Sequence, residues 1–579
     1  MDETLKNLSR FNRDFFNKEK RLTYIGTGSL GGKGLGLAKI NSELIEHLKA
    51  ENYPYIEVSV PSLCILRTGI FDAFMKQNKL YDIAFSDLPD DRIAHAFQKA
   101  ELPFEILGDL RALISQVTTP LAVRSSSMLE DALHEPFAGI YGTKMTPNNQ
   151  HDISIRFNKL VEAIKFVYAS TFFKEAKDYI RATRHKSEDE KMAVIIQEIV
   201  GAKHGDRFYP QLSGVGRSHN YYAFGNAKAE DGIVNLALGL GKTIVDGGTS
   251  WAYSPAFPRS EPPFGSVNDM LKNTQTDFWA VNMGTAPAYD PVKETEYLVK
   301  NDLLVAENDK VLRHVASTVD AQTGRVILGV GKPGPRLLNF APLLRFDEIK
   351  LNDLIKDLLS ISEKSLNAPV EIEFAMNFSD TGEPHRFGFL QVRPMVVSTD
   401  LVEVSDEELT GEQVLASSNM VLGNKFENSI TDIVYVKKDS FNSTTTLKIS
   451  EDLEKLNSKL IAEGKNYLLM GFGRWGTSDQ AAGVPVNWGQ ISGARVIVEA
   501  AIENMNFEMS QGSHFFHNVT GFSVLYFSVP FKGKYTIDWE WLDKKESFQE
   551  TNFVRHIRLE KPLEIKVDGR TGLGVIIKS

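Results

Sequence analysis

The chain alternates between two patterns of apolar and polar positions, which together predict both helices and strands. Apolar residues recur every three to four positions from Leu37 to Leu48 and from Phe157 to Phe172, a spacing typical of amphipathic helices. Two more helices are predicted near 347–362 and 445–463. Short apolar or alternating runs predict strands at 121–124, 191–200, 233–238, 370–376, 386–392, 432–436, 466–470, 522–529 and 572–577. Both halves of the chain mix the two kinds of element, so we expect an α+β fold.

The chain is too long for one compact core. With 579 residues, it should form several domains of about 100–200 residues each. The polar segment 1–20 is expected to be a helical leader. Periodicity lapses again in the acidic stretch 398–412, which is typical of a linker. The remainder, 413–579, is expected to form a separate C-terminal α/β domain.

Composition narrows the classes of partner. The chain has 65 basic and 75 acidic residues, a net charge of −10 that argues against a general nucleic-acid surface but permits a local anion site. Cys64 is the single cysteine, so no internal disulfide forms, which fits a reducing compartment. We find neither a secretory signal nor an apolar run of about 18 residues. We therefore expect a cytoplasmic protein with no membrane partner.

A glycine cluster precedes the first helix. In GGKGLG, Lys33 lies between glycine pairs at a predicted helix start, where backbone N–H groups, the helix dipole and a lysine favour a phosphate. The spacing matches neither the Walker nor the dinucleotide pattern. A glycine-rich turn with a surface lysine is the alternative.

The segment AVRSSSMLEDALHEPFAGIYGT, residues 122–143, also suits an anion. Arg124 leaves a buried strand into a serine-rich turn, and Phe137–Gly139 adds a small-residue loop able to cover a phosphate tail. The alternative is a capping serine cluster, with Arg124 paired to Glu130 or Asp131.

Residues 370–394 predict two strands joined by a turn. Side chains two positions apart share a strand face, so Glu371 lies with Glu373, and Gln391 with Arg393. Carboxylate and amide oxygens side by side suit Mg²⁺, and Arg393 can hold a phosphate that the metal bridges. A solvated hairpin with a surface Glu–Arg pair is the alternative.

Taken together, these segments resemble a known family. GGKGLGLAKI, AVRSSSMLEDALHEPFAG, VIIQEIV with SGVG, GLGKTIVDGG, and EIEFA with LQVRP follow the order found in the N-terminal nucleotide-binding domain of phosphoenolpyruvate synthases and pyruvate phosphate dikinases. The resemblance covers about residues 20–397. It implies an ATP-grasp fold that holds ATP between two lobes, here 21–190 and 191–397, with ATP and Mg²⁺ as cofactors.

The resemblance also implies roles for individual residues. It makes Lys33 and Arg124 the phosphate-binding cations, and Arg393 the arginine that faces the β- and γ-phosphates. Glu373 and Gln391 resemble metal ligands. The implied nucleotide contacts are completed by Gly139 and by a hinge strand whose backbone reads adenine, comprising Gln197, Glu198, Ile199 and Val200.

The phosphoryl acceptor is not assigned by the resemblance. Complete dikinases carry an acceptor histidine on a swivelling domain and a barrel that acts on pyruvate, and neither is evident here. Gly247–Ala252 mimics the histidine signature but has Trp251 at the histidine position, so we interpret it as a loop. Pyruvate, another small acceptor, and a further domain or partner chain carrying the histidine all stay open.

The C-terminal part contains the blocks ITDIVYVK, GFGRWGTSD, VPVNWGQISGARVIVEA and QGSHFFHNVT, with which it resembles the tail of larger phosphoenolpyruvate synthase-like proteins. Its loop GFGRWGTSD, with Arg474 and Asp479, suits an anion or a nucleotide, or else is a tight turn with Trp475 in the core. His514 is a candidate phosphoryl acceptor. The alternative is a hydrogen-bonded structural histidine, because aromatic residues surround it.

Three hypotheses for function follow. The leading one is an ATP- and Mg²⁺-dependent phosphotransferase of the dikinase type, in which positioning and charge neutralisation drive transfer. The others are a nucleotide-binding sensor without turnover and an ATP-grasp ligase that forms an acyl phosphate. The nucleotide products distinguish them.

Overall fold

The computed structural model describes residues 8–13, 21–130, 137–181, 183, 185–223, 225–260, 264, 266–397, 402–477, 480, 482–501 and 513–579. Helices and strands occur together throughout these ranges, which confirms the α+β class. None of the helices found there is long and apolar enough to cross a membrane. The helices are Gly31–His47, Thr68–Gln77, Tyr81–Ala84, Asp90–Lys99, Phe104–Gln116, Ile153–Ser170, Lys174–Arg181, Lys242–Val245, Val267–Lys272, Leu303–Asn308, Ala341–Phe346, Leu351–Leu366, Thr446–Ala462, His514–Gly521 and Trp539–Lys544.

Two mixed sheets form the N-terminal two thirds of the protein. The first sheet has the strand order Ser9–Arg10, Leu22–Ile25, Leu63–Leu66, Met192–Glu198, Leu121–Ser127, Thr143–Thr146. The second has the order Trp251–Tyr253, Ile233–Ala237, Leu212–Arg217, Val370–Asn377, His385–Pro394, Ile56–Ser59. Helix Gly31–His47 contributes Leu37 and Ile40 to the apolar core that both sheets share.

Smaller sheets flank these two. One runs in the order Leu298–Asp302, Asp277–Asn282, Arg207–Tyr209, Ala202–His204, and another Val326–Leu328, Ser317–Val319, Arg336–Leu337.

The C-terminal region, defined here as residues 413–579, has its own sheets. Its larger sheet has the order Val421–Leu422, Leu525–Val529, Ala494–Ala500, Tyr467–Phe472, Asp432–Val436, Val554–Arg558, Gln549–Glu550. A four-stranded sheet has the order Val414–Ser418, Leu573–Ile577, Glu564–Asp568, Asn424–Glu427. A two-stranded sheet pairs Arg474–Trp475 with Gly483–Val484. The apolar core around the first sheet continues into this region, because Tyr179 packs edge-on against Phe522, which stacks on Trp488.

The two sheets do not divide at the lobe boundary predicted at 190/191. Strand Met192–Glu198 lies inside the first sheet, between Leu63–Leu66 and Leu121–Ser127. Conversely, Ile56–Ser59 crosses to the second sheet, where it pairs with His385–Gly388. Local periodicity identifies a strand but not its neighbours, and this chain passes between the two sheets more than once.

Two further segments differ from expectation. In the predicted helical leader, Ser9–Arg10 pairs as a strand with Thr23–Tyr24, and Phe11 is buried in the core. In the predicted linker, Val404 and Leu409 are buried against the C-terminal region, whereas most of the other described residues of 402–412 are exposed. Residues 1–7, 14–20 and 398–401 lie outside the described ranges. Each segment carries isolated apolar residues without a period, so its packing leaves no pattern in the sequence.

Candidate functional site

The hairpin of strands Val370–Asn377 and His385–Pro394 forms one wall of the site. Glu371 lies opposite Arg393, and Glu373 opposite Gln391, in the antiparallel register. The period of two therefore places all four side chains as the spacing predicts. The hairpin is not the solvated one of the alternative interpretation, because Glu371, Gln391 and Arg393 are buried.

Arg124 reaches this hairpin from the first sheet. Its Nη2 lies 2.5 Å from Oε1 of Gln391 and 3.6 Å from Oε2 of Glu373, and its Nη1 donates to the carbonyl of Leu390 at 3.0 Å. Arg393 approaches the other oxygen of Glu373, with Nη2 3.6 Å from Oε1. Glu373 thus lies between two guanidinium groups from different sheets. At 3.6 Å neither contact is a close hydrogen bond, so each arginine can exchange Glu373 for another anionic partner.

Lys33 lies in the first turn of helix Gly31–His47. Its Nζ is 2.6 Å from Oε1 of the buried Glu130 and 3.2 Å from Oγ of Ser125. Glu130 therefore pairs with Lys33 and not, as the alternative interpretation expected, with Arg124; Asp131 lies outside the described residues. The lysine is fixed beside the strand that carries Arg124.

The glycines before and around Lys33 serve close packing. A side chain on Gly32 would place its Cβ 1.8 Å from the carbonyl oxygen of Glu130, and one on Gly31 would reach 1.7 Å from that of Ser126. The Oγ of Ser126 accepts from the backbone N–H of Gly34 at 2.9 Å, so one free N–H of the first helical turn is already capped. That N–H group is therefore not available to a phosphate at this helix end.

The predicted hinge, 197–200, leads from the first sheet to the flanking sheet that contains Ala202–His204. The N–H groups of Glu198 and Ile199 donate to the carbonyls of Ser62 and Pro120, both at 3.0 Å. Gln197 is buried, with Oε1 3.4 Å from Nη1 of Arg124. Val200 packs against Gly388, where a Cβ would lie 2.4 Å from the valine Cγ2. Adenine contacts at this hinge would therefore use backbone groups other than those two N–H groups.

Glu371 forms a buried ionic cluster behind Glu373. Its Oε2 accepts from Nε of Arg217 at 2.6 Å, and its Oε1 accepts from Nε of Arg393 at 2.8 Å. His517 of the C-terminal region places Nε2 2.8 Å from the same Oε1. Burial raises the pKa of Glu371, but Arg393, His517 and Arg217 outweigh it and hold the pKa well below its usual range.

The C-terminal region faces the phosphate end of the site through His514. Gly139 has a φ of +70°, and a Cβ there would lie 2.3 Å from Nδ1 of His514, so the ring rests on the loop predicted to cover a phosphate. Burial, together with the positive charges of Arg393 and Lys33, lowers the pKa of His514 well below its usual value. The ring is neutral at pH 7 and retains one unprotonated nitrogen.

Some residues near the site were not predicted from the sequence. Lys242, inside the quoted GLGKTIVDGG motif, pairs with Asp246 at 2.9 Å. Burial raises the pKa of Glu294, while the charges of Lys242 and Lys33 oppose that rise. The motif could have indicated Lys242, whereas Glu294, His517 and Arg217 stand in no pattern that points to a site.

The glycine loop of the C-terminal region is a structural turn that also contacts the second lobe. Trp475 is buried in the core, and Nη1 of Arg474 donates to the carbonyl of Gly247 at 3.4 Å. The described part of the Gly247–Ala252 segment is thus a loop and a short strand, Trp251–Tyr253. Asp479 lies outside the described residues.

The oxygen ligands fit a magnesium ion held partly by a nucleotide. Within the described residues, no group of three or more His, Cys, Asp or Glu side chains could hold a metal. Mg²⁺ needs only one or two side-chain oxygens when phosphates supply others. Glu373 and Gln391, opposite each other in register, meet that requirement.

Comparison with known families agrees with this geometry. The family model described as pyruvate phosphate dikinase, AMP/ATP-binding domain, matches residues 27–412, about two thirds of the chain. The match contains the second sheet, all strands of the first sheet except Ser9–Arg10 and Leu22–Ile25, and every site residue above except those of the C-terminal region.

Proposed function

Because the chain belongs to the family of the pyruvate phosphate dikinase AMP/ATP-binding domain, we propose that it is an ATP- and Mg²⁺-dependent phosphotransferase of the dikinase type. One observation carries the proposal: Arg124 and Arg393 converge from two sheets on Glu373. Arg124 also contacts Gln391, and Lys33 contacts Ser125, the residue after Arg124. A cytoplasmic location, expected from the sequence, belongs to the same proposal.

The site residues bind and orient the polyphosphate. Lys33, Arg124 and Arg393 neutralise its charge, and the Gly139 loop covers it. Glu373 and Gln391 would hold Mg²⁺, which neutralises phosphate charge and fixes the angle of attack. Phosphate oxygens replace Glu373 as partners of the two arginines, which frees that carboxylate to bind the metal. The hinge 197–200 holds the base.

We assign the phosphoryl acceptor to His514. Its unprotonated ring nitrogen forms a bond to the β-phosphorus of ATP, the bond from that phosphorus to the α,β-bridging oxygen breaks, and AMP leaves with the electron pair. Water then removes the γ-phosphate as free phosphate, which leaves one phosphoryl group on the ring. The positive charges of Arg393 and Lys33 help to lower the pKa of His514, and this supports the role, since cations that act on the ring also stabilise the departing charge. Pyruvate or another small acceptor would then take the group; a histidine on a further domain or partner chain is the competing source.

A sensor is the second candidate function. It is favoured by the contact of His517 with Glu371, because that contact lets the C-terminal region respond to the nucleotide site without turnover. The ligase hypothesis gains no such support from the geometry.

The test follows ATP labelled separately at the β- and γ-phosphates. A dikinase gives AMP with acid-labile phosphate on His514 or free phosphate, a ligase gives ADP, and a sensor leaves ATP unchanged. Arg393→Ala and Lys33→Met should each reduce turnover by at least about 100-fold, the order expected when an electrostatic contact to the transition state is lost. Arg386→Ala, an exposed arginine on the same strand as Arg393, is the matched control. Unchanged turnover in both site variants would reject the assigned roles.

A further inference from the structure

A single carboxylate inside the protein joins the C-terminal region to the nucleotide site. Glu371 is completely buried and contacts Arg217, Arg393 and His517 at 2.6–2.8 Å. Arg217 and Glu371 belong to adjacent strands of the second sheet, whereas His517 comes from helix His514–Gly521. The cluster therefore joins the second sheet to the C-terminal region.

Charge explains why the third partner is a histidine. Two buried guanidinium groups already exceed the charge of one carboxylate, so a further cation would be unfavourable. Burial and the charge of Arg393 lower the pKa of His517 to about 4, which leaves the imidazole neutral at pH 7. A neutral ring can contact the carboxylate without adding charge.

Geometry makes His517 relevant to Arg393. Both side chains contact Oε1 of Glu371, at 2.8 Å each. The Nε and Nη2 atoms of Arg393 both contact Oε1 of Glu371, and the same Nη2 lies 3.6 Å from Oε1 of Glu373. If His517 is removed, Glu371 keeps its contacts with Arg217 and Arg393 but loses the one that comes from the C-terminal region, so the carboxylate and the Arg393 guanidinium gain room to shift together.

The helix that carries His517 is anchored by other contacts. Asn518 accepts from the hydroxyl of Tyr179 at 3.0 Å and donates to the carbonyl of Ala138 at 3.3 Å, both on the first-lobe side. Phe516 packs against Tyr221 and beneath the guanidinium of Arg217 on the second-lobe side. The helix thus contacts both lobes beside the phosphate end of the site.

We propose that His517 is a positioning residue, through which the docked C-terminal region holds Glu371 and so orients Arg393 toward the nucleotide polyphosphate. The inference rests on the proposed role of Arg393 in ATP binding. It does not require His514 to be a phosphoryl acceptor.

The test measures ATP affinity by calorimetry on the full chain, together with KM and kcat where turnover occurs. His517→Leu keeps the volume but removes the nitrogen, and it should weaken ATP binding about tenfold, the effect of losing a contact to a charged group. His517→Gln, which retains an N–H at similar reach, should restore affinity to within about threefold of the wild type.

His556→Leu is the matched control. His556 is also a buried histidine of the C-terminal region, with Nε2 2.8 Å from Oδ1 of Asp432, away from the site. The His556→Leu variant should lose about as much thermal stability as His517→Leu, but its ATP affinity should stay within about twofold of that of the wild type. Equal ATP affinity in His517→Leu and wild type would overturn the positioning role alone. Absence of ATP binding in the wild type would overturn the nucleotide site as well.

A second measurement covers the case in which His517→Leu does not fold. In wild-type protein labelled with ¹⁵N-histidine, and assigned with His517→Gln, addition of ATP with Mg²⁺ should shift the ring signals of His517 and leave those of His556 in place. A His517 signal that saturating ATP does not move would reject the proposal.

Discussion

At the scale of single residues, burial separates side chains that the strand period places together. Glu371 and Glu373 lie on one face of the strand, as the spacing predicts, but only Glu373 is partly exposed and available to a ligand. Glu371 is the internal counter-ion of Arg217 and Arg393. Alternation reveals the face of a strand, whereas the depth of each position depends on what packs above it, here His517 from far along the chain.

Glu499 gives a residue-scale prediction about pH. It is buried at the end of strand Ala494–Ala500 and accepts from the hydroxyl of Tyr526 and the N–H of Trp475. Burial raises its pKa to about 7. Because the folded protein holds this proton more tightly than the unfolded chain, the stabilisation is present below about pH 4.5 and is lost as the pH rises to about 7.

Glu499→Gln should remove this dependence. Between pH 5 and pH 8, the stability of the wild type should fall relative to that of the variant by about 2–3 kcal/mol, since each pKa unit corresponds to about 1.4 kcal/mol. Urea unfolding of both proteins across this pH range measures the difference. A constant difference would show that Glu499 is ionised at neutral pH in the folded protein.

At the scale of elements, the sequence predicted the pieces better than their contacts. The strand predicted at 370–376 is observed as Val370–Asn377, and the helix predicted at 445–463 as Thr446–Ala462. The strand predicted at 522–529 begins only at Leu525, because helix His514–Gly521 and its exit turn use the preceding apolar residues. Pairing between Ile56–Ser59 and His385–Gly388 joins positions over 300 residues apart, which no local pattern encodes.

The start of helix Gly31–His47 gives the element-scale prediction. Gly32→Ala should force the 126–130 loop away from the helix and displace Lys33, because the added Cβ would lie 1.8 Å from a backbone carbonyl. We expect a loss of about 1–3 kcal/mol of stability, typical of overpacking, and several-fold weaker ATP binding. Thermal unfolding and calorimetry measure the two effects.

Gly331→Ala is the control for that substitution. No heavy atom lies within 4 Å of a Cβ at Gly331, so the same chemical change should cost little there. If Gly32→Ala bound ATP as tightly as Gly331→Ala, the position of Lys33 would not depend on this close approach.

At the scale of the whole molecule, the C-terminal region is packed against the nucleotide-binding part rather than tethered to it. Tyr179, Phe522 and Trp488 form a continuous aromatic contact, and Lys174 pairs with Glu454 across the same boundary. The family match and the site residues were within reach of sequence reasoning because they are concentrated in short motifs. The docking of the C-terminal region could not be predicted from the sequence, because its residues are dispersed along the chain and belong to no motif.

The docked arrangement predicts that ATP binding also affects elements outside residues 27–412, the segment that the family model matches. A ligand that binds only the folded, closed site makes local opening of every element that completes this site less favourable. Amide hydrogen exchange in helix His514–Gly521 should therefore slow at least about tenfold when ATP and Mg²⁺ saturate the protein. Helix Thr446–Ala462, in the same region but without contact to the cluster around Glu371, should exchange at an unchanged rate. Protection confined to residues 27–412 would mean that the C-terminal region is docked but not coupled to the nucleotide.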